Sequence, residues 1–161
     1  YDHLRTQEVD PTRTFITFDS LMEGEADGIE MWGSYQATPS WRLSAGMTAL
    51  HQRFTLKPGS NDSGGPGSSG KDPSHTAQLR SNYTIAPGKE FEVAVRKVAA
   101  LENPAVPGYT AVDARFGWRI NKALELSLAA QNLNGSHGEY GPEATRSEIP
   151  RSVSVRLVWG I

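Results

Sequence analysis

Apolar and polar residues alternate along most of this chain with a period of two. The clearest stretch covers residues 123–132, where leucine or alanine takes every second position from Leu124 to Ala130. The positions between them carry residues such as Glu125 and Ser127. Successive side chains of a β-strand point to opposite sides, so this pattern predicts a strand with one apolar face. Helical spacing is hard to find over windows longer than about ten residues, which favours an all-β fold.

The same alternation recurs in several other segments. Their apolar positions start at Trp41, Ala77, Phe91, Val112 and Val153. Each segment runs for about 10 to 14 residues, the length that a tilted strand needs to cross a bilayer, whereas globular strands average about five or six. One face would then meet lipid and the other water. The pattern predicts an antiparallel meander of about eight long strands, part of a transmembrane outer-membrane β-barrel.

Short and long connections alternate between these segments. The short links contain Pro, Gly or Asn, which supply turn geometry, and they fall at residues 38–40, 87–89 and 121–122. The longer linkers lie at roughly 55–75, 102–108 and 134–147. Outer-membrane barrels alternate short periplasmic turns with long external loops. The alternation therefore predicts that the long linkers are external and that the C-terminus is periplasmic.

Charged and amide side chains fill the polar positions of the alternating segments. A water-filled barrel interior accommodates such residues, whereas lipid does not. We therefore expect them to face the lumen, where their first role is solvation and mutual charge pairing. The residues in this group are Gln78, Arg80, Glu92, Arg96, Asp113, Arg115, Glu125 and Arg156.

Aromatic residues at apolar positions cluster near the short links. Amphipathic rings collect at the level of the lipid headgroups and form girdles around membrane barrels. We expect a membrane girdle on the short-link side. Its predicted members are Trp41, Tyr83, Phe91, Trp118 and Trp159.

Composition removes several classes of protein. The 161 residues include no Cys, which excludes a disulfide scaffold, a thiolate metal site and a cysteine nucleophile. Sixteen Lys and Arg against eighteen Asp and Glu give a net charge of -2, so no nucleic-acid partner is expected. The longest apolar runs are about four residues, far short of the roughly 20 that a membrane-spanning helix needs.

No constellation of residues suggests catalysis, a metal site or a cofactor. The four histidines share no metal-ligand spacing, and they stand at His3, His51, His75 and His137. No nucleophile and base converge in the sequence, so we predict no catalytic residues, no metal and no cofactor. An enzyme is the least supported class.

Several stretches resemble barrel strands of one family. Residues 109–118, with the string Tyr-Thr-Ala-Val-Asp-Ala-Arg, resemble its late strand, and residues 124–133 resemble its penultimate strand. Residues 148–159 resemble its closing strand, and residues 1–5 and 28–30 are similar to earlier barrel segments. The chain thus resembles the C-terminal β-barrel portion of a TonB-dependent outer-membrane receptor. One departure is the terminal Ile161, where the family most often has Phe.

The resemblance implies a transport function rather than chemistry. Family members import a scarce chelate, most often a ferric siderophore, when the TonB complex acts on a plug domain. Residues 1–161 would form one portion of the barrel, without the plug and the earlier strands, in the outer membrane of a Gram-negative bacterium. The implied partners are outer-membrane lipid, a ferric siderophore and TonB, the last through a plug outside this chain. His137, Tyr140 and Arg146 are the candidate ligand residues of the last long linker.

Two other interpretations stay open at this point. Eight strands can close into a small barrel with a side-chain-filled interior, which would suit a self-contained adhesin or structural protein. The long charged side chains of the polar face would crowd so narrow an interior. A soluble β-rich binding module would have to leave its alternating apolar faces exposed to water.

Overall fold

Most of the chain forms an eight-stranded antiparallel sheet, so the predicted all-β meander is confirmed. The computed structural model describes residues 1–10, 12 and 14–160. The strands are β1 (Leu4–Val9), β2 (Ile16–Thr38), β3 (Trp41–Leu56), β4 (His75–Ala86), β5 (Lys89–Val98), β6 (Leu101–Glu102), β7 (Ala105–Val106), β8 (Tyr109–Arg119), β9 (Leu124–Gln131), β10 (His137–Gly138), β11 (Glu148–Ile149) and β12 (Ser152–Trp159).

The sheet has the strand order β1-β2-β3-β4-β5-β8-β9-β12. The remaining strands form two small ribbons, β6 with β7 and β10 with β11, inside the long connections. Within the described residues the only helix is a 3-10 helix at Pro66–Lys71. No helix among these residues is long and apolar enough to cross a membrane.

The register of the strands gives the sheet one apolar and one polar face. On β5, Val93 lies opposite Ser81 on β4 and Ala114 on β8. Its chain neighbour Glu92 points to the other face and lies opposite Asn82 and Arg115. The same register extends to β9 and β12, where Leu126 lies opposite Trp118 and Leu157. We call the side that carries Val93 the apolar face and the side that carries Glu92 the polar face.

The sheet is a single layer with almost no core. The buried hydrophobic residues among those described are Met22, Val106 and Ala111. Large apolar side chains are instead exposed, with 68% of Val155 and 63% of Leu157 accessible. In water such an apolar surface would favour aggregation, whereas in a bilayer the lipid chains would cover it without an unfavourable free energy of hydration. The apolar face is therefore built for a membrane.

Short and long connections alternate as predicted. Two residues join β2 to β3 and β4 to β5, and residues 120–123 join β8 to β9. Gly88 in the second of these turns has φ +75°, and a Cβ there would lie 2.9 Å from the carbonyl oxygen of Arg119. Only glycine fits both requirements. The long connections cover residues 57–74, 99–108 and 132–151 and meet at the opposite end of the sheet.

Alternation did not predict the first two strands, β1 and the longest strand, β2. β2 runs for 23 residues. Near the middle of β2, Glu25 and Asp27 occupy positions of the apolar face and lie opposite Arg53 and His51 on β3. The alternation is lost because carboxylates occupy these positions of the apolar face in place of apolar side chains. Trp32 breaks the pattern a second time, since it lies on the polar face and is 85% exposed.

Neither edge strand of the sheet has a second strand as a partner among the described residues. In the described part of the chain, β1 pairs with β2 alone and β12 pairs with β9 alone. All eight residues of β12 are exposed. A self-contained eight-stranded barrel needs β1 paired with β12, and the structure does not have that pairing. Ile161, the terminal residue that differs from the family pattern, lies outside the described residues.

We expect Val93→Arg to destabilise the intact polypeptide in a bilayer by about 2–4 kcal/mol, because an arginine near the midplane of the apolar face must be desolvated. The matched variant is Ala94→Arg, one residue away on the polar face, where it lies opposite Arg80 and Asp113. Its cost should be much smaller. A refolding titration into lipid bilayers measures both, and equal costs would contradict the assignment of faces.

Candidate functional site: the polar face and its long connections

The eight residues predicted to face a lumen all occupy the polar face in the observed register. Two pairs of them form salt bridges, with 3.5 Å between Arg80 Nε and Glu92 Oε1 and 3.7 Å between Arg115 Nη2 and Glu125 Oε1. These side chains are partly exposed, so each pair stabilises the sheet only slightly. The strand register places these residues on the polar face, and their location in a barrel lumen remains a prediction.

The predicted girdle residues share the apolar face. Trp41 lies directly opposite Tyr83, which in turn lies opposite Phe91, so three consecutive strands present aromatic rings side by side. Trp41 Nε1 also donates a hydrogen bond to Ser81 Oγ at 2.9 Å. Trp118 and Trp159 lie on the same face, close to the short connection of residues 120–123. Contact of these rings with lipid headgroups remains a prediction.

The long connection of residues 57–74 folds back and binds β1. The Asn61 side chain makes the two hydrogen bonds that a neighbouring strand would make with Val9. Its Oδ1 accepts from Val9 N at 2.8 Å, and its Nδ2 donates to Val9 O at 2.7 Å. The Asp62 carboxylate accepts from Gln7 N at 2.9 Å. Gln7 and Val9 therefore direct their backbone groups to the side of β1 that faces away from β2. These hydrogen bonds tie the connection to the outer edge of the sheet.

Backbone amides also hold the charge of Asp62. Its carboxylate accepts from Gly64 N and Gly65 N, both at 2.9 Å, and these bonds form a turn within the connection. The hydrogen bond from Gln7 N, followed by that from Gly64 N, keeps the pKa of Asp62 below its usual value, although partial burial opposes the shift. The nearby Glu8 carboxylate accepts from Asn61 N and Ser60 Oγ, both at 2.7 Å.

A lowered folded-state pKa means that Asp62 stabilises the docked connection above its ordinary pKa of 3.8 and loses this effect as the pH falls through the lowered value. We expect the amide of Gln7 to lose protection in that pH range. Hydrogen-exchange mass spectrometry of the intact polypeptide, corrected for intrinsic rates, measures it. Asp62→Asn should abolish the pH dependence and Asp72→Asn, an exposed control in the same connection, should not. Identical profiles for all three proteins would contradict the role of Asp62.

The connection of residues 132–151 begins with two asparagines that extend the edge of β8. Asn132 adopts φ 55°, and its backbone N–H donates to Asp113 Oδ1 at 2.9 Å. Asn134 accepts from Val112 N at 3.0 Å and donates to the carbonyl oxygen of Thr110. Asparagine tolerates the left-handed conformation and its amide imitates a peptide group, so β9 ends at this point without leaving β8 unpaired.

Four side chains meet where this connection crosses the ends of β5 and β8, and we call them the Glu139 cluster. Glu139 Oε1 lies 3.2 Å from Arg96 Nη2 on β5 and 2.8 Å from the hydroxyl of Tyr109 on β8. It also lies 3.1 Å from Nε2 of His137 on β10. The rings of Tyr109 and His137 are stacked, with centroids 3.9 Å apart. One carboxylate thus joins the connection to two strands.

Electrostatics favours the ionised form of Glu139. Burial raises the pKa of its carboxyl group, but hydrogen bonds from Tyr109 and His137 and the charge of Arg96 together outweigh burial, so the pKa lies below its usual value. Hydrogen bonds to a charged partner are stronger than those between neutral groups. The cluster therefore fastens the connection to the polar face most firmly while Glu139 is charged.

The three candidate ligand residues have different surroundings. The His137 side chain is only 7% exposed and belongs to the Glu139 cluster. Arg146 crosses Gly138, where a Cβ would collide with its side chain, and its Nη1 donates to the carbonyl oxygen of Ala105 at 3.0 Å. Tyr140 is 76% exposed. The structure places all three in one connection, with Tyr140 the most accessible to a ligand. Their contact with a chelate remains a prediction.

Trp32, which sequence reasoning did not select, lines a second feature of the polar face. A groove of about 430 Å³ lies between this ring and the side chains of Arg42 and Arg80. Gln78 and Asn82 are among the other polar side chains that line it. Guanidinium groups and an indole ring together suit aromatic anions, through ion pairing and stacking. In the described part of the chain no group of three or more His, Asp or Glu residues is placed to hold a metal ion.

A single-layered meander with an apolar face, a polar face and alternating short and long connections defines the wall of a transmembrane β-barrel. The family described as "TonB dependent receptor-like, beta-barrel" matches residues 5–133. The chain belongs to this family. Its relatives are transport receptors of the outer membrane rather than enzymes.

Two curated relatives are siderophore receptors by name. The chain is 29% identical over 128 residues to the catecholate siderophore receptor Fiu of Escherichia coli strain K12, an alignment that covers 73% of this chain and 16% of that protein. It is 26% identical over 140 residues to the probable TonB-dependent siderophore receptor PiuA of Acinetobacter baumannii, covering 79% and 18%. The chain thus spans less than a fifth of the length of these relatives.

Solved structures share the fold. The FpvAI–pyocin S2 complex has a TM-score of 0.71 at 16% identity, with 98% of this chain and 22% of that chain covered. The closed form of the Escherichia coli K12 ferric-catecholate import receptor Fiu has a TM-score of 0.66 at 20% identity, covering 94% and 22%. The copper transporter OprC has a TM-score of 0.66 at 15% identity, covering 91% and 25%. At these identities the likeness concerns the fold.

Proposed function

We propose that this chain is the C-terminal wall of an outer-membrane receptor that imports a ferric siderophore. The observation that carries the proposal is the similarity to receptors named for siderophores, in a chain whose family match covers residues 5–133. The unpaired edge of β12 supports a larger barrel, because an unpaired strand edge is costly in lipid. The remaining strands and a plug domain would be supplied by polypeptide outside residues 1–161.

The long connections would then form the external surface and the short ones the periplasmic turns. Residues 132–151 carry the exposed Tyr140 and would meet the chelate first, with His137 and Arg146 behind it. The groove beside Trp32 supports an aromatic anionic chelate such as a catecholate, since its ring and two guanidinium groups offer both stacking and charge. Energy would come from the TonB complex through the plug, and outer-membrane lipid would cover the apolar face.

We expect the intact polypeptide to take up a ferric catecholate labelled with radioactive iron. The host is a Gram-negative strain deprived of its own siderophore receptors, and uptake is compared with and without TonB. The expected result is uptake above the empty host that disappears in the strain without TonB. The 161-residue chain alone, expressed in the same host, should give none, because an open eight-stranded wall forms no sealed path.

Two results would contradict the proposal. Absence of TonB-dependent uptake for catecholate, hydroxamate and carboxylate chelates alike would remove siderophore import. Reproducible energy-coupled uptake by residues 1–161 alone would show that the chain is a complete transporter and not part of a wall.

A further inference from the structure

One oxygen atom of Glu139 collects three donors from three separate segments. Arg96 Nη2, the Tyr109 hydroxyl and His137 Nε2 all lie within 3.2 Å of Oε1. The carboxylate is 20% exposed and the imidazole 7% exposed, so the donors converge on a partly buried point. Tyrosine, imidazole and guanidinium donors arranged around one acceptor make an oxyanion-binding site. Here the oxyanion comes from the protein itself.

The site has more donor capacity than Glu139 uses. Arg96 is half exposed and offers five N–H groups, of which one contacts the carboxylate. Its guanidinium also lies 5.6 Å from the centre of the Tyr109 ring. A carboxylate oxygen only accepts, so His137 contacts it through a protonated Nε2 and stacks on Tyr109 behind it. Tyr109 therefore contacts both of the other donor side chains, and half of the Arg96 side chain stays exposed to solvent.

Glu139 belongs to the connection of residues 132–151, which is also attached to the rest of the structure by contacts that do not involve Glu139. Arg146 holds the same connection to the carbonyl oxygen of Ala105, and β10 pairs with β11 next to it. Departure of Glu139 would therefore free the residues around Tyr140 without detaching the whole connection. Glu139 can therefore leave the three donors while Arg146 and the pairing of β10 with β11 still hold the connection in place.

We propose that Arg96, Tyr109 and His137 form an oxyanion-binding site and that Glu139 is its built-in occupant, displaced by a carboxylate or phenolate oxygen of an incoming ligand. That this ligand is an anionic chelate rests on the proposed function, whereas the site itself does not. Binding then exchanges one anion for another on the same three donors, and Tyr140 moves as Glu139 leaves. The polar face acquires an anion subsite next to its most exposed aromatic residue.

The test uses acetate as the probe and the intact polypeptide as the protein. A spin label at position 140, introduced by Tyr140→Cys, reports the mobility of the connection, and these 161 residues contain no other Cys. Glu139→Ala empties the site and should increase the mobility of the label. Acetate, at a concentration that exceeds the effective concentration of the tethered carboxylate, should increase the mobility of the label in the polypeptide that keeps Glu139, because it displaces that carboxylate. In Glu139→Ala acetate should change the mobility little, because the segment is already released. Chloride at equal ionic strength should have no effect.

The matched control is Glu143→Ala, an exposed carboxylate of the same connection with no salt bridge among the described residues. It should not mobilise the label by itself, and acetate should mobilise the label in it as in the unaltered polypeptide, because Glu139 is still present. If Glu139→Ala does not assemble, Glu139→Gln takes its place, and acetate should mobilise the label there at a lower concentration than with Glu139, because a neutral amide is displaced more easily. Absence of an acetate response in the polypeptide that keeps Glu139, or the same acetate dependence in the Glu139 variant that assembles, overturns the proposal. Neither outcome involves uptake, so it is independent of the transport experiment.

Discussion

The structure depends on the backbone hydrogen-bond ladder of one sheet, because no packed core exists to replace it. Only three hydrophobic residues are buried in the described part of the chain, and both faces of the sheet are open. Side-chain packing between layers, which stabilises most globular domains, is missing. The ladder satisfies the backbone in a membrane, and the alternation of side chains then decides which face meets lipid and which meets water. Each further feature follows from that division.

The connections depend on the same ladder at its ends. Asparagine side chains bind strand backbone groups that have no neighbouring strand among the described residues, as Asn61 does at Val9 on the outer edge of β1 and Asn134 does at Val112 and Thr110 beyond the end of β9. These hydrogen bonds bring the long connections onto the strand ends. The Glu139 cluster forms for that reason, since it needs residues of β5, β8 and β10 at one point. Functional groups thus collect where the regular ladder ends.

The sequence predicts the regular parts of the fold well, because a period of two is a direct consequence of strand geometry. Strands such as β5 and β9, their faces and the short turn at Gly88 all follow from it. The first half of β2 does not, since carboxylates at positions of the apolar face break the alternation there. The resemblance of residues 109–118 and 148–159 to barrel strands adds the family, which composition alone does not supply.

The candidate site is less predictable than the fold. Arg96 could be placed on the polar face from its parity, and His137 was selected as a histidine of a long connection. Glu139 was missed, because its importance comes from contacts with residues 30 and 43 positions away. The only local signal is the i, i+2 spacing of His137 and Glu139. In an extended chain this spacing places both side chains on the same side. Long-range convergence of this kind is invisible to a periodicity argument.

The most direct test of this account is a nitroxide scan along residues 124–130 of the intact polypeptide in lipid bilayers. Collision with dissolved oxygen, which concentrates in lipid, should peak at Leu124, Leu126, Leu128 and Ala130. Collision with a water-soluble nickel complex should peak at the residues between them, because the register assigns those to the polar face. Two profiles with opposite phase and a period of two would confirm a wall between lipid and water. Equal accessibility at consecutive residues would contradict it.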